Sequence, residues 1–254
     1  MNILYEDNDI VAVAKPAGLI THADGRTKEE TAEDWFKEKY GSGGVLTGYV
    51  HRLDRDTSGV LVFAKNEAAH AFLRKAFHDR DIQKTYLAIV YGVLKEKKGI
   101  IDFDIGRSRK DFRLRSAQPK AKGRLRDALT RYEVIAESAD EGSAESTDVG
   151  SNERGGYSLL KVTPETGRTH QIRVHLKAIH HPIVCDSLYA PNHKPALGIF
   201  RLALHAYSLD IPLPAGRQGS SSGGRKLLVA PIPSDLARAF SHFPKASEQL
   251  ASLT

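Results

Sequence analysis

Cysteine is almost absent from these 254 residues: Cys185 stands alone, so no intrachain disulfide can form and a reducing compartment is the expected home. No apolar run approaches the roughly 20 residues needed to span a bilayer. The N-terminus carries Glu6 and Asp7 where a secretory signal would carry positive charge, so a soluble cytoplasmic chain is expected. Metal-ligand spacing is missing as well. His170, His175 and His180 recur at five-residue intervals, which places neither consecutive pair on one face of a helix or strand, and no His-Glu-x-x-His pattern occurs. No metal centre is expected.

What is present is enough apolar material for a core, 41% of residues, and a basic balance of 37 Lys and Arg against 31 Asp and Glu, net +6. That balance favours a polyanionic partner, and its distribution says more than its size. Between Arg107 and Arg126 nine Lys or Arg face Asp111 alone, a net +8 that exceeds the charge of the whole chain. With Phe112 and Leu114 inside it, this run reads as β ribbon or extended loop able to track a phosphate backbone, although solvated charge is the plainer reading. Residues 138–156 have the opposite character: five acids, one arginine, and Val149 as the one aliphatic side chain larger than alanine. They and the Gly/Ser-rich residues 214–225 read as disordered insertions between strand-like segments. Neither marks a boundary, so residues 1–254 are read as one domain, expected as a monomer.

Periodicity supplies the elements. Ile10–Ala14 reads as a strand closed by the Pro16-Ala17-Gly18 turn, with Lys15 as its solvated end. Thr27 and Glu30 resemble a capping box for a helix carrying Ala32, Trp35, Phe36 and Tyr40 on one face, with Gly41 at C′. Asn66 can cap a second helix through Ala69, Phe72, Leu73, Ala76 and Phe77. Tyr86–Gly92 is nearly all apolar, as in a strand covered on both faces, and Ala128–Ile135 alternates like a half-exposed one.

Two stretches carry chemistry. His51-Arg52-Leu53-Asp54-Arg55-Asp56-Thr57-Ser58-Gly59 crowds charged and hydroxyl side chains directly before the apolar strand Val60–Ala64, and such desolvation cost is not what packing requires. Thr166-Gly167-Arg168-Thr169-His170-Gln171-Ile172-Arg173-Val174-His175-Leu176 fits a strand or a helix; capping by Thr169 and a stop at Pro182 favour the helix. Its N-terminus, with Arg168 and His170, is then expected to hold an anion. Tyr86 shares a face with the small residues Ala88 and Val90, which leaves its ring room for a ligand, yet an ordinary core tyrosine is the plainer reading.

Taken together and in order, several stretches resemble the RluA-type pseudouridine synthases. They are Ile3–Asp7 with Lys15–Gly18, His51–Asp54 with Thr57–Gly59, Lys84–Ala88, Thr166–His175, Pro182–Asp186 with Tyr189, and Leu204–Ala206. The resemblance implies an α+β fold with a curved, mostly antiparallel mixed sheet flanked by helices and a central RNA-binding cleft. It implies isomerisation of uridine in structured RNA, ribosomal or transfer, without cofactor or metal. Asp54 falls on the catalytic aspartate, Tyr86 on the tyrosine that stacks on the target base, Arg173 on the basic residue that pairs with the aspartate, and Arg52 on the arginine that helps displace the base. His51, Arg55, Arg168, His170 and Gln171, with Arg107, Arg109, Lys110, Arg113 and Arg115 of the basic run, are expected to contact RNA.

The chemistry is compatible with those assignments. An aspartate can act as nucleophile or as base on the ribose, and in a closed pocket its ionised form needs a cation to oppose desolvation. Extracting the base from its stack costs a few kcal/mol, which stacking by Tyr86 and insertion of Arg52 can offset. The chain departs from the family in having Cys185 and His180 where glycine is usual, and with the catalytic motif at its start it is expected to act without the S4 domain of many relatives. Two other classes stay open: an RNA-binding module without catalysis, and a hydrolase pairing Asp54 with Asp56.

Overall fold

The computed structural model describes residues 1–23, 29–41, 48–109, 111, 114–117, 121–138, 155–213, 224–244 and 246–251. In chain order the elements begin with β1 (Asn2–Glu6), β2 (Ile10–Lys15), α1 (Ala32–Tyr40), β3 (Gly48–Tyr49), β4 (Ser58–Ala64) and α2 (Glu67–His78). There follow β5 (Gln83–Tyr91), β6 (Lys98–Asp102), β7 (Ile105–Arg107), β8 (Arg115–Ser116), β9 (Lys122–Arg126), β10 (Leu129–Ser138) and β11 (Tyr157–Pro164). The chain closes with α3 (Gln171–Ala178), β12 (Leu204–Leu213), β13 (Gly224–Val229), α4 (Ser234–Phe240) and α5 (Ala246–Ala251). Strands outnumber helices and most pairings are antiparallel, so the α+β class expected from the motifs is the one found. Contacts divide the chain into two compact units, Met1–Thr85 with His205–Ile232, and Tyr86–Leu204 with Pro233–Thr254.

In the first unit β2 pairs antiparallel with β1 and β4, β3 adds to β4, and β12 runs parallel to β4 through His205↔Ser58 and Ala206↔Gly59. All seven residues of β4 are buried, as its continuous apolar run requires. Ile10, Ala12, Val60, Val62 and Ala64 form a core with Leu73 and Ala76 of α2 and with Leu209, Ile211 and Leu228. The Asn66 cap is as expected, its side chain accepting from Ala69 N–H at 2.9 Å. The first helix starts later than its composition suggested. Thr31 caps it, exchanging hydrogen bonds with Asp34 at 3.0 and 3.2 Å, because the backbone turns helical only after Thr31 has paired with Ile20. Thr27 lies outside the described residues. Gly41 is the C-cap itself, with right-handed φ −75°, so no left-handed C′ glycine is used there.

The second unit pairs β5, β11, β10 and β6 antiparallel in that order, and the described residues of the basic run, expected as β ribbon or extended loop, contribute to a small sheet ordered β8-β7-β9. Leu87, Ala88, Ile89 and Val90 are all buried, so β5 is covered on both faces. Val174 of α3 and Tyr189 pack with Ile105, Ala117 and Ala128, which seats the ribbon's base on the helix. Both expected insertions fall largely outside the described residues. At the edge of the second one, Gly224 and Arg225 belong to β13 instead, since Arg225 forks onto Asp210 at 2.8 Å and reaches Asp81 at 2.9 Å. No helix among the described residues is long and apolar enough to cross a membrane.

Candidate active site

Asp54 sits in a turn closed by Thr57 N–H donating to Asp54 O at 3.1 Å. The residues on either side of it are tied down. Thr21 Oγ1 donates to Leu53 O at 2.9 Å and accepts from Leu53 N–H at 3.2 Å, and Gly18 N–H donates to Arg55 O at 2.9 Å. Lys15, expected as a solvated strand end, is instead 1% exposed, and its ammonium donates to the carbonyls of Pro16, Leu19 and Arg55 at 2.9, 2.7 and 3.0 Å. A buried ammonium is tolerable only with such a complete set of acceptors, and here the set ties the end of β2 to the Asp54 turn. The half-buried Asp54 carboxylate therefore leaves a backbone held on both sides, which is preorganisation rather than loop mobility.

Behind the turn, Ser58 and Gly59 dock on β12. Ser58 Oγ lies 2.9 Å from His205 Nδ1, both buried, and His205 Nε2 faces Ala230 O at 3.5 Å, so the hydroxyl donates to Nδ1. Gly59 has φ +128°, and a Cβ there would lie 2.1 Å from Ala206 O. Only glycine admits the close parallel approach of the two backbones. Gly59→Ala is accordingly expected to destabilise the chain by more than about 3 kcal/mol in urea denaturation; a smaller loss would mean that the strands separate cheaply.

His51 was expected to contact RNA, and the structure gives it another duty. Its Nε2 accepts from Val62 N–H at 3.1 Å and its ring stacks on Phe77 at 4.8 Å. Burial, helped by the nearby Lys84 charge, pushes it down to about 3, so it stays neutral and offers no positive charge to phosphate. Arg52 and Arg55 remain exposed, and Arg55 forms an ion pair with Glu29.

In the second unit Tyr86 is half-buried on β5, opposite Val162. The ambiguous motif is helical, as preferred, but Thr169 is not its cap. The N-cap is His170 at φ 57°, without a side-chain cap bond. His170 Nδ1 lies instead 2.9 Å from the hydroxyl of Tyr189. Gln171, expected at the RNA, is buried with its amide fully engaged: Oε1 accepts from Thr166 Oγ1 and Arg168 N–H at 2.7 and 3.0 Å, and Nε2 donates to Leu129 O and Thr130 Oγ1, each at 3.0 Å. It joins α3 to β10. The anion expected at this helix start is part of the protein, because Arg168 donates through Nε to Asp127 O at 2.9 Å and through Nη2 to Asp127 Oδ1 at 3.0 Å.

Arg173 is 3% exposed, and Asp186, at 1%, binds it in a fork: Nε to Oδ2 at 2.8 Å and Nη2 to Oδ1 at 2.7 Å. Asp186 Oδ1 also accepts Leu188 and Tyr189 N–H, each at 3.0 Å, and the guanidinium lies 5.1 Å from the centre of the Tyr189 ring. Reading of the sequence missed this acid, although a lone carboxylate in the apolar run Ile183-Val184-Cys185-Asp186 signals a buried partner. Both departures from family glycine fall at left-handed positions, Cys185 at φ 57° and His180 at φ 67°. His180 is the C′ residue of a Schellman ending to α3, with His180 N–H to Lys177 O and His181 N–H to Leu176 O, both 3.0 Å.

Of the ribbon residues, Arg107 and Arg109 are exposed and Arg115 is half-buried, its N–H donating to Tyr189 Oη at 2.8 Å. Lys110 and Arg113 lie outside the described residues. Asp54, Arg52, Arg55 and His51 thus belong to one unit, and Tyr86, Arg173, Arg168, His170, Gln171 and the ribbon to the other. Among the described residues no three His, Cys, Asp or Glu side chains assemble into a metal-holding group.

An α+β enzyme scaffold with a braced aspartate and a buried, acid-held arginine defines the class in outline, and comparison with known proteins specifies it. Residues 9–178 match the family described as RNA pseudouridylate synthase, and the chain belongs to that family. The chain is 36% identical over 240 residues to Uncharacterized RNA pseudouridine synthase YhcT of Bacillus subtilis, covering 93% of this chain and 70% of that one. It is 36% identical over 214 residues to Dual-specificity RNA pseudouridine synthase RluA of Yersinia pestis, covering 84% and 93%. Ribosomal large subunit pseudouridine synthase D of Borreliella burgdorferi is 32% identical over 253 residues, covering 97% and 69%. Among solved structures, Human RNA Pseudouridylate Synthase Domain Containing 1 superposes with a TM-score of 0.73 at 25% identity, covering 99% of this chain and 93% of that one. The chain is an isomerase acting on RNA.

Proposed function

We propose that the chain converts uridines of ribosomal or transfer RNA to pseudouridine, with Asp54 as the reacting carboxylate. The observation that carries this reading is the bracing of the Asp54 turn: Lys15 and Gly18 hold Arg55 O, and Thr21 holds Leu53, so one ionisable oxygen pair is presented at a defined place. The reaction exchanges the N1–C1′ bond for a C5–C1′ bond, the C5 proton leaves and N1 gains one, so no co-reactant is required. An ionised Asp54 serves as nucleophile at C1′ or as base on the ribose.

In this reading Tyr86 stacks on the detached uracil, Arg52 takes the place of the displaced base, and Arg173, fixed by Asp186, is the oriented cation of the second unit. The exposed Arg107 and Arg109 engage phosphates, and this contact carries no sequence information. A ribosomal target is supported by the relative named for the large ribosomal subunit, and transfer RNA is the second class that the resemblance to the RluA-type family implies. The test is to map pseudouridine in RNA from cells with and without this protein. Sites that vanish with the protein and return when it is added to that RNA in vitro are expected in at least one of the two RNA classes. An unchanged map, with no pseudouridine formed in vitro, sinks the proposal.

A further inference from the structure

Phe200 is 85% exposed, the highest value of any large apolar side chain among the described residues, where the next, Ile100, is at 55%. Its backbone is nevertheless rigidly supported. Ala196 to Ile199 form a tight turn, with Ile199 N–H donating to Ala196 O at 2.9 Å and with Leu197 and Gly198 left-handed at φ 55° and 69°. A leucine in that region is strained by roughly 1–2 kcal/mol, so the surroundings must enforce the turn. Ile199 is fully buried and its carbonyl accepts the Cys185 thiol at 3.0 Å. On the other side Arg201 forks onto Asp235 at 2.6 and 3.0 Å. With both neighbours anchored, Phe200 is displayed outward on a stiff support.

The segment around it has a distinct chemistry. From Ser187 to Leu204 there is no Asp or Glu, while His193 and Lys194 are exposed. Both are tied to the same anchor: the His193 ring lies 4.4 Å from that of Tyr91, whose hydroxyl donates to Lys194 O at 2.8 Å and accepts Cys185 N–H at 3.3 Å. Cys185 precedes Asp186, the residue that grips Arg173, so the segment is mechanically continuous with the cation of the proposed site. A protein-docking face would need several clustered apolar side chains, whereas exposed Asn192, His193, Lys194 and Gly198 share this segment with Phe200. A lone, rigidly held aromatic ring on an acid-free, cation-bearing segment fits the flat face of an unpaired base with phosphates beside it.

We infer that Phe200 is a stacking platform for an unpaired base of the RNA substrate, one other than the reacting uridine. This rests on the reading of the chain as an enzyme acting on RNA. The test is fluorescence anisotropy of the full chain with a short labelled oligouridine and with an abasic strand of equal phosphate number. Phe200→Ala is expected to weaken oligouridine binding about 5- to 150-fold while leaving the abasic strand unaffected, the range for losing one base stack. Phe200→Trp should bind at least as tightly as the parent, which also reports an intact fold, and Phe200→Leu should be nearly as weak as alanine, because leucine has no π-face. The inference is overturned if alanine binds oligouridine like the parent, if both strands lose affinity equally, if leucine matches phenylalanine, or if the parent does not bind oligouridine. It is overturned equally if Phe200→Ala only breaks up a self-associated form of the chain. Failure of the enzymatic reading would show separately, as absence of pseudouridine formation by the unaltered protein.

Discussion

Asp54→Asn is expected to lower pseudouridine formation by at least about a thousand-fold while leaving RNA affinity within about twofold. Asparagine nearly matches aspartate in shape, and the closing bond of the turn, from Thr57 N–H, goes to the backbone carbonyl of residue 54. Leu53 and Arg55 stay pinned by Thr21, Gly18 and Lys15. What is lost is a negative charge able to attack C1′ or to remove a ribose proton. A clean readout is release of the C5 hydrogen to solvent from RNA labelled at uracil C5, followed in a single turnover, with affinity measured in parallel. Near-parental release by the variant would remove Asp54 from the chemistry, and joint loss of release and binding would make it a structural residue.

Asp186→Ala is expected to destabilise the protein by about 3–5 kcal/mol, because one partner of a buried ion pair is removed and the other stays behind. Nε and Nη2 of Arg173 would lose their acceptors at a position 3% exposed, and the Leu188 and Tyr189 N–H groups would lose theirs as well. Asp186→Asn, which keeps an acceptor oxygen but not the charge, should lose less. Urea denaturation of both variants orders these effects, and a loss under about 1 kcal/mol for alanine would show that the pair is not holding the arginine. The functional consequence follows from geometry. A guanidinium gripped on two N–H groups and lying against the Tyr189 ring has one orientation, so isomerase activity per folded molecule should fall in Asp186→Asn even where stability is largely retained.

The basic run and the Asp54 loop show how far reading residues in order can go. Nine cations around Phe112 and Leu114 signalled a β ribbon or extended loop, and β7, β8 and β9 are a small sheet, buried at the start of β7 and exposed over most of β9. The crowding of charged and hydroxyl side chains marked the Asp54 loop, though not that Ala206 O would stand where a Cβ of Gly59 belongs. Polar residues were the harder cases. Lys15, His51 and Gln171 all looked like surface groups, and each is engaged by at least one partner distant in the chain, Arg55 O for Lys15, Val62 N–H for His51 and, 42 positions away, Leu129 O for Gln171. For Lys15 the turn after it supplies two of the three carbonyls, and only the third, from Arg55, had to come from elsewhere in the fold.

By itself, then, the sequence determined what depends on neighbours in the chain: the apolar run of β4, the Asn66 cap and stripe of α2, and the ordered set of motifs that places the chain among pseudouridine synthases. Only the tertiary structure decided which charges and polar groups meet. Asp127 answers Arg168, Asp186 answers Arg173, and Thr130 and Leu129 answer Gln171. The physical reason is that periodicity and capping energies act over a turn or two of backbone, whereas a buried polar group must be matched by whatever partner the packed strands and helices bring within about 3 Å, a condition set by the whole fold at once.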